Sequence, residues 1–366
     1  MRSVRRDPDE RGATAIVVAL TLVMIMAAAM LTIDAGMLWT RRRTVTTASD
    51  AAALAEARAI ALAGSPATVC GSSWTTLIAR NTGSEAEPLS CAVVRGTVSG
   101  QGSVEVRTQL RSPIGFGRVL GLGDQQAFAS SVARFDAVSV MLDHTRPMGI
   151  CTQNDHLTEW FSYLNGTTSP AQYSLLRGSG PNHPLYGGAG VVHRIGYTKE
   201  QPLACGAAPG NWGFVNLNGG ATSTGDLRRW IRDGYNENGV AVGDCNADNA
   251  TADDWCPATP GTIATSVANE LDSIVGVAVP LPLFDQVRGA GATAEYHITG
   301  FLGVILRGYR ITGDGSGRYL DLEFTSLIGS GRCCPRNGTT VVDGGVRVVR
   351  LCSVDHDPIS VATRCR

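Results

Sequence analysis

The sequence predicts an α+β protein: a single N-terminal transmembrane helix continuing into an alanine-rich stem, then a disulfide-bonded, β-rich extracytoplasmic body. Three observations predict it. Residues 13–33 read ATAIVVALTLVMIMAAAMLTI, without charge or proline, and a run of about 21 residues crosses roughly 30 Å of hydrocarbon. All ten cysteines follow that run, at positions 70, 91, 151, 205, 245, 256, 333, 334, 352 and 365. An even number confined to one side of a span points to disulfides in an oxidising compartment. Forty-four glycines among many Ser, Thr and Asn residues describe a body of short strands and turns.

Composition removes some function classes. The net charge is −1, charged residues make up 17%, and Lys199 is the only lysine. Without a long basic patch to neutralise phosphates, nucleic-acid binding is excluded as a reading. Zinc competes with disulfides for the cysteines, but the chain has no C-x-x-C pair and no histidine at ligand spacing beside two cysteines. Disulfides are the expectation.

Taken in order, residues 1–12 form a polar leader with Arg2, Arg5, Arg6 and Arg11 beside Asp7, Asp9 and Glu10. The anchor, 13–39, ends in Trp39 before Arg41-Arg42-Arg43. Arginines on both flanks nearly cancel under the positive-inside rule. The cysteines decide the orientation, with the leader in the cytoplasm and the body outside a bacterial inner membrane. The apolar run is too long for a secretory h-region of about 7–15 residues, and Gly36-Met37-Leu38-Trp39 offers no small-residue cleavage site. Trp39 and the arginines suit the outer headgroup boundary.

Residues 40–64 form the stem. Good helix formers run on to Gly64 and Pro66 as a stop signal. Val45, Ala48, Ala52, Ala55, Ala59 and Leu62 share one face, while Ser49, Asp50, Glu56 and Arg58 face elsewhere. Anchor and stem together would make a rod of about 75 Å, half in lipid. The alanine face packs either on the chain's own body or on a partner helix.

Residues 65–135 read as a small α+β unit. Gly102 to Leu110 alternates apolar and polar as a half-buried strand does, and Cys70 and Cys91 staple the loop before it. Residues 136–260 form a Gly-, Trp- and Cys-rich insert or lobe. There Trp160, Trp212, Trp230 and Trp255 either anchor small cores or form an exposed aromatic binding surface. Residues 261–366 return to β structure, with strands over 295–311, 318–328 and 339–351 and a hairpin turn at 313–317. Cys333, Cys334, Cys352 and Cys365 tie its end, the adjacent pair with separate partners.

Several stretches resemble TadE/TadG-like proteins, minor components of Flp (tight-adherence) pilus assembly. They are Arg11-Gly12-Ala13-Thr14-Ala15, the apolar run, Asp34-Ala35-Gly36, the arginines, and Ala48-Ser49-Asp50-Ala51-Ala52-Ala53-Leu54-Ala55. Further on, Phe116-Gly117-Arg118-Val119-Leu120-Gly121 with 127–133, and 279–285 with 295–301 and Gly308-Tyr309, resemble the TadG-like branch. In pilin relatives, processing needs a glutamate near the fifth position after the cleaved glycine. Counting from Gly12, that position holds Val17, so the resemblance implies an uncleaved anchor. Some TadG-like proteins carry a von Willebrand A metal site. Its nearest counterpart here, Asp143-His144-Thr145-Arg146-Pro147, matches at Asp143 and Thr145 and breaks at Arg146 and Pro147.

Motifs for chemistry are sparse. The six histidines make no H-E-x-x-H, and there is no G-x-S-x-G elbow and no phosphate loop. Asp143-His144, Asp155-His156 and Asp355-His356-Asp357 are sequence neighbours, which point apart on a strand and imply no dyad. Asp244, Asn246 and Asp248, with Asn249, Asp253 and Asp254, lie between Cys245 and Cys256. Their spacing resembles a calcium loop but has Asn249 for its glycine and Trp255 for its glutamate, so a polar disulfide-closed loop competes with it.

No catalytic, cofactor-binding or metal residues are assigned. The expected function is non-enzymatic: a membrane-anchored structural or assembly component of a Flp-type pilus or related envelope complex. Its partners are the bilayer and other assembly proteins, met through the N-terminal helix. A surface adhesion or ligand-binding protein is the alternative, and an extracytoplasmic enzyme a more remote one.

Overall fold

A computed structural model describes residues 9–64, 69–169, 192–196, 205–206, 213–243, 245, 255–259, 265–312, 317–333 and 340–352. The architecture is mixed α+β, with one long apolar N-terminal helix and a β-rich body. Helix α1, Asp9–Ala63, runs 55 residues without interruption, about 82 Å at 1.5 Å per residue. Its two halves have opposite surroundings. Most large side chains from Ile16 to Trp39 are exposed, Val23 at 63% and Ile25 at 68%, with Met30 and Leu38 half-buried. From Val45 onward a stripe of Ala48, Ala52, Ala53, Ala57, Ile60 and Ala61 is buried.

That stripe corrects the expected stem face. Ala59 and Leu62 are exposed and Ala55 is half-buried, whereas Ser49 and Glu56 are fully buried. Alanines occur all around this helix, so apolar contrast hardly distinguishes one face from the next. The hydrogen bonds of Ser49 and Glu56 select the face that docks.

The stem lies on a five-stranded sheet. Strands β1 (Ala86–Arg95), β2 (Gly102–Ser112) and β3 (Gln125–Ala137) are successive antiparallel neighbours. As expected from its period of two, β2 turns Val104, Val106 and Leu110 inward. β3 adds Ala127, Ala129 and Ala133, so small residues on the sheet meet small residues on the helix and the two come close. Helix α2 (Ser73–Thr82) packs beside α1. The expected Cys70–Cys91 disulfide joins the segment before α2 to β1. The far side of the sheet comes from the chain's other end. β15 (Val346–Cys352) pairs antiparallel with β3 and parallel with β12 (Leu327–Ile328).

A seven-stranded sheet centres on β10 (Glu295–Arg310). Across it run β5 (Ile150–Cys151), β9 (Ala278–Arg288), β10, β11 (Tyr319–Phe324) and β6 (Val192–Gly196). β8 (Cys256–Pro257) and β14 (Val342–Gly344) also pair with β10. β10 and β11 form the expected hairpin; of its turn, residues 313–316 lie outside the described residues. A small sheet joins β4 (Val140–Met141) to β7 (Val240–Ala241) and β13 (Gly331–Arg332). Strands from 136–260 thus hydrogen-bond to strands from 261–366.

Helix α3 (Asp155–Leu164), capped by the Asn154 side chain, and helix α4 (Thr224–Arg232), opened by a Ser223/Asp226 capping box, close this body. Leu157, Trp160, Leu227 and Ile231 on these helices pack against Leu281, Leu283, Leu302 and Leu322 of the large sheet. Trp160 and Trp230 are buried core anchors, and Trp255 is half-buried; Trp212 lies outside the described residues. Disulfides Cys151–Cys205 and Cys245–Cys256 tie the loops. Cys352 is also disulfide-bonded; Cys334 and Cys365 lie outside the described residues.

Candidate functional site

The candidate site is the seam between α1 and the body, where side chains from both partners meet. At its N-terminal end is Asp34, the first charged residue after the apolar run. Its Oδ1 accepts hydrogen bonds from the backbone N–H groups of Gly115 (3.1 Å) and Phe116 (3.2 Å), and its Oδ2 from that of Gly117 (2.7 Å). These three amides sit at the tip of the β2–β3 hairpin. Glycine makes the approach possible: a Cβ on Gly117 would lie 2.5 Å from Ile114 Cγ2 and 3.3 Å from Asp34 Oδ2. Two stretches that carry the family resemblance, Asp34-Ala35-Gly36 and Phe116 to Gly121, thus meet in space. Just beyond, Arg41 pairs with Glu85.

Along the stem Thr44, Thr46 and Thr47 bond back to carbonyls of their own helix, while Ser49, Asp50 and Glu56 reach across to other elements. Ser49 Oγ donates to the Val106 carbonyl at 3.0 Å, and Asp50 accepts from Ser131 Oγ at 2.6 Å. Glu56 accepts from the N–H groups of Gly71 and Trp74, each at 3.0 Å, and from the Ser73 hydroxyl. Helix α2 has no side-chain cap of its own, so Glu56 serves its first turn from the neighbouring helix.

The stem's C-terminal end is held from β15. Arg347 donates to the carbonyls of Ala61 (3.0 Å) and Gly64 (3.4 Å) and pairs with Asp343 at 2.7 Å, with both side chains almost fully buried. A guanidinium there satisfies carbonyls a helix terminus leaves open. The Tyr163 hydroxyl donates to the Ala63 carbonyl at 2.8 Å.

Hydroxyls in the exposed half of α1 turn back on their own helix. Thr21 donates to the carbonyls of Val17 (3.0 Å) and Val18 (2.9 Å), Thr32 to that of Ala28 (2.6 Å), and Thr40 to that of Gly36 (2.9 Å). These bonds satisfy the three hydroxyls within the helix itself.

The groups considered for catalysis are scattered. Asp143 and His144, expected to point apart, touch at 3.2 Å because His144 turns through a left-handed conformation (φ 60°); the pair is solvent-facing. In the same loop Thr145 is buried in a bridge to Tyr235. Arg146 points inward and donates to the carbonyls of His144 (2.8 Å) and Arg232 (3.3 Å). Burial pushes the Arg146 guanidinium down to about 10. The His297–Asp285 contact, 2.6 Å across β9 and β10, was invisible to sequence spacing and depends on a bulge in their register. Among the described residues no group of three or more His, Cys, Asp and Glu side chains could hold a metal. Asp244, Asn246, Asp248, Asn249, Asp253 and Asp254, and the 355–357 trio, lie outside the described residues.

No family model, no curated protein and no solved structure matches the chain.

Proposed function

We propose that this protein is a membrane-anchored structural component of a cell-envelope assembly, with residues 13–39 crossing a bacterial inner membrane and the disulfide-bonded body outside it. The observation that carries this reading is the change of surroundings along one unbroken helix. An apolar window of mean hydropathy 2.7 with none of its residues buried leads directly into a stem sunk in the body. In water such a surface would be costly; in lipid it is solvated. The disulfides support placing the body on the oxidising side.

The resemblance to TadE/TadG-like proteins supplies the assembly: anchoring, building or presenting a Flp-type pilus or a related complex, with no turnover required. Deleting the gene tests it. Surface pili should be lost while the pilin itself is still made, and unchanged piliation would overturn the assignment. Topology has its own test: external protease should remove the body from cells stripped of wall, and maleimide should label few thiols before reduction.

A further inference from the structure

We infer that the tip of the β2–β3 hairpin, residues 113–123, is a second membrane contact, inserted in the outer-leaflet interface beside the anchor and positioned there by Asp34. The inference rests on the membrane-anchor reading above. The first argument is height. Backbone amides of Gly115, Phe116 and Gly117 are tied to Asp34, which precedes Trp39 on the same helix by about 7–8 Å. A tryptophan followed by arginines marks the headgroup level, so the tip lies deeper than that belt, where the uncharged run ends.

The second argument is surface. Phe116 (40%) and Leu122 (48%) are exposed on the tip, and Ile33 (49%) and Met37 (40%) on the facing helix. Between helix and hairpin opens a cleft of about 500 Å³ lined mainly by apolar Ile33, Gly36, Met37, Trp39 and Pro113, with Thr40, Arg41 and Ser112 at its polar side. This apolar surface is continuous with the proposed lipid-facing half of α1, which identifies outer-leaflet lipid as its occupant.

The third argument is polarity. A carboxylate at the edge of hydrocarbon is costly unless bonded. Asp34 and the tip amides satisfy one another, removing polar groups that would resist insertion of either. Asp124 pairs with Arg111 (2.7 Å) and Arg118 (2.8 Å), leaving a net positive charge, and both guanidiniums are well exposed. They stand ready for headgroup phosphates while the side-chain stems lie along apolar surface.

The test uses the full-length protein in nanodiscs of phosphatidylethanolamine and phosphatidylglycerol carrying spin-labelled lipids. A fluorescent amino acid replaces Ile25, Phe116 or Asn165; Asn165 is exposed and follows α3, near the far end of the stem. A label near the acyl carbonyl should quench the probe at 116 at least about threefold more than the probe at 165, as for a group about 5–10 Å into the interface. A label near the methyl end should quench the probe at 25. Asp34→Ala should bring the signal at 116 down to that at 165. Quenching at 25 with 116 matching 165 overturns the inference and leaves the anchor standing; a second copy covering the tip would give that result. No quenching at 25 overturns the anchor itself. Quenching at 116 that Asp34→Ala leaves unchanged overturns the positioning role of Asp34.

Discussion

The two halves of α1 are both rich in apolar residues, yet they are built for different neighbours. The N-terminal half presents exposed Ile, Val, Leu and Met side chains from Ile16 to Met26 and onward to Met37, and its threonines bond back to its own carbonyls. The C-terminal half buries alanines along one stripe, and its Ser49, Asp50 and Glu56 bond to other elements. A helix facing a continuous apolar medium needs bulk everywhere and polar partners within itself. A helix docked on a sheet needs small residues where the surfaces meet and polar groups that reach across. Residue size and burial separate the two situations: threonines bond back to the helix in both halves, and only Ser49, Asp50 and Glu56 reach across the seam.

The largest expected effect breaks the docked half at its end. Asp343→Ala leaves Arg347 buried without its carboxylate beneath the last turn of the stem. A loss of about 3–5 kcal/mol is expected, measurable as a lower denaturation midpoint of the detergent-solubilised protein.

The next acts only on the exposed half. Val23→Arg places a charge near the middle of the apolar run and should oppose insertion by about 2.5–3.5 kcal/mol. Fractionation should find more protein outside the membrane, while the melting of the body stays unchanged. Destabilisation of the body instead would mean that this half packs on protein.

The smallest sharpens the contrast with one substitution made twice. Ala52→Leu forces extra volume into the seam between stem and sheet, costing about 1–3 kcal/mol. Ala27→Leu, on the exposed half, should cost the body nothing. Equal costs at both positions would erase the distinction between the halves.

Much of the local structure was legible. An uncharged, proline-free run announced a long apolar helix, and alternation from Gly102 to Leu110 announced β2. The Cys70–Cys91 link followed from two successive cysteines ahead of that strand. Less legible was everything decided by chain-distant partners. Alanine periodicity placed Val45, Ala48 and Ala52 on the docked face, where they are, but also Ala59 and Leu62, which are exposed; Glu56 and its bonds to Gly71 and Trp74 rotate the buried stripe toward Ala53, Ala57 and Ala61. Strand β15 read as part of a C-terminal unit, yet it completes the sheet under the stem. The contact of His297 with Asp285 depends on a bulge no spacing rule anticipates.

By itself the sequence determined the helix, its change from an apolar anchor to an alanine-rich stem after Trp39, and a cysteine-stapled β body, because helix propensity, apolar length and strand period are local properties of the chain. Only the tertiary structure decided which stem face docks, that Arg347 closes the stem from the other end of the chain, and that Asp34 meets Gly115, Phe116 and Gly117. Those outcomes depend on polar groups whose partners lie up to 286 residues away, and hydrogen-bond geometry at that separation is set by how sheets and helices stack, which local patterns of residues do not reveal.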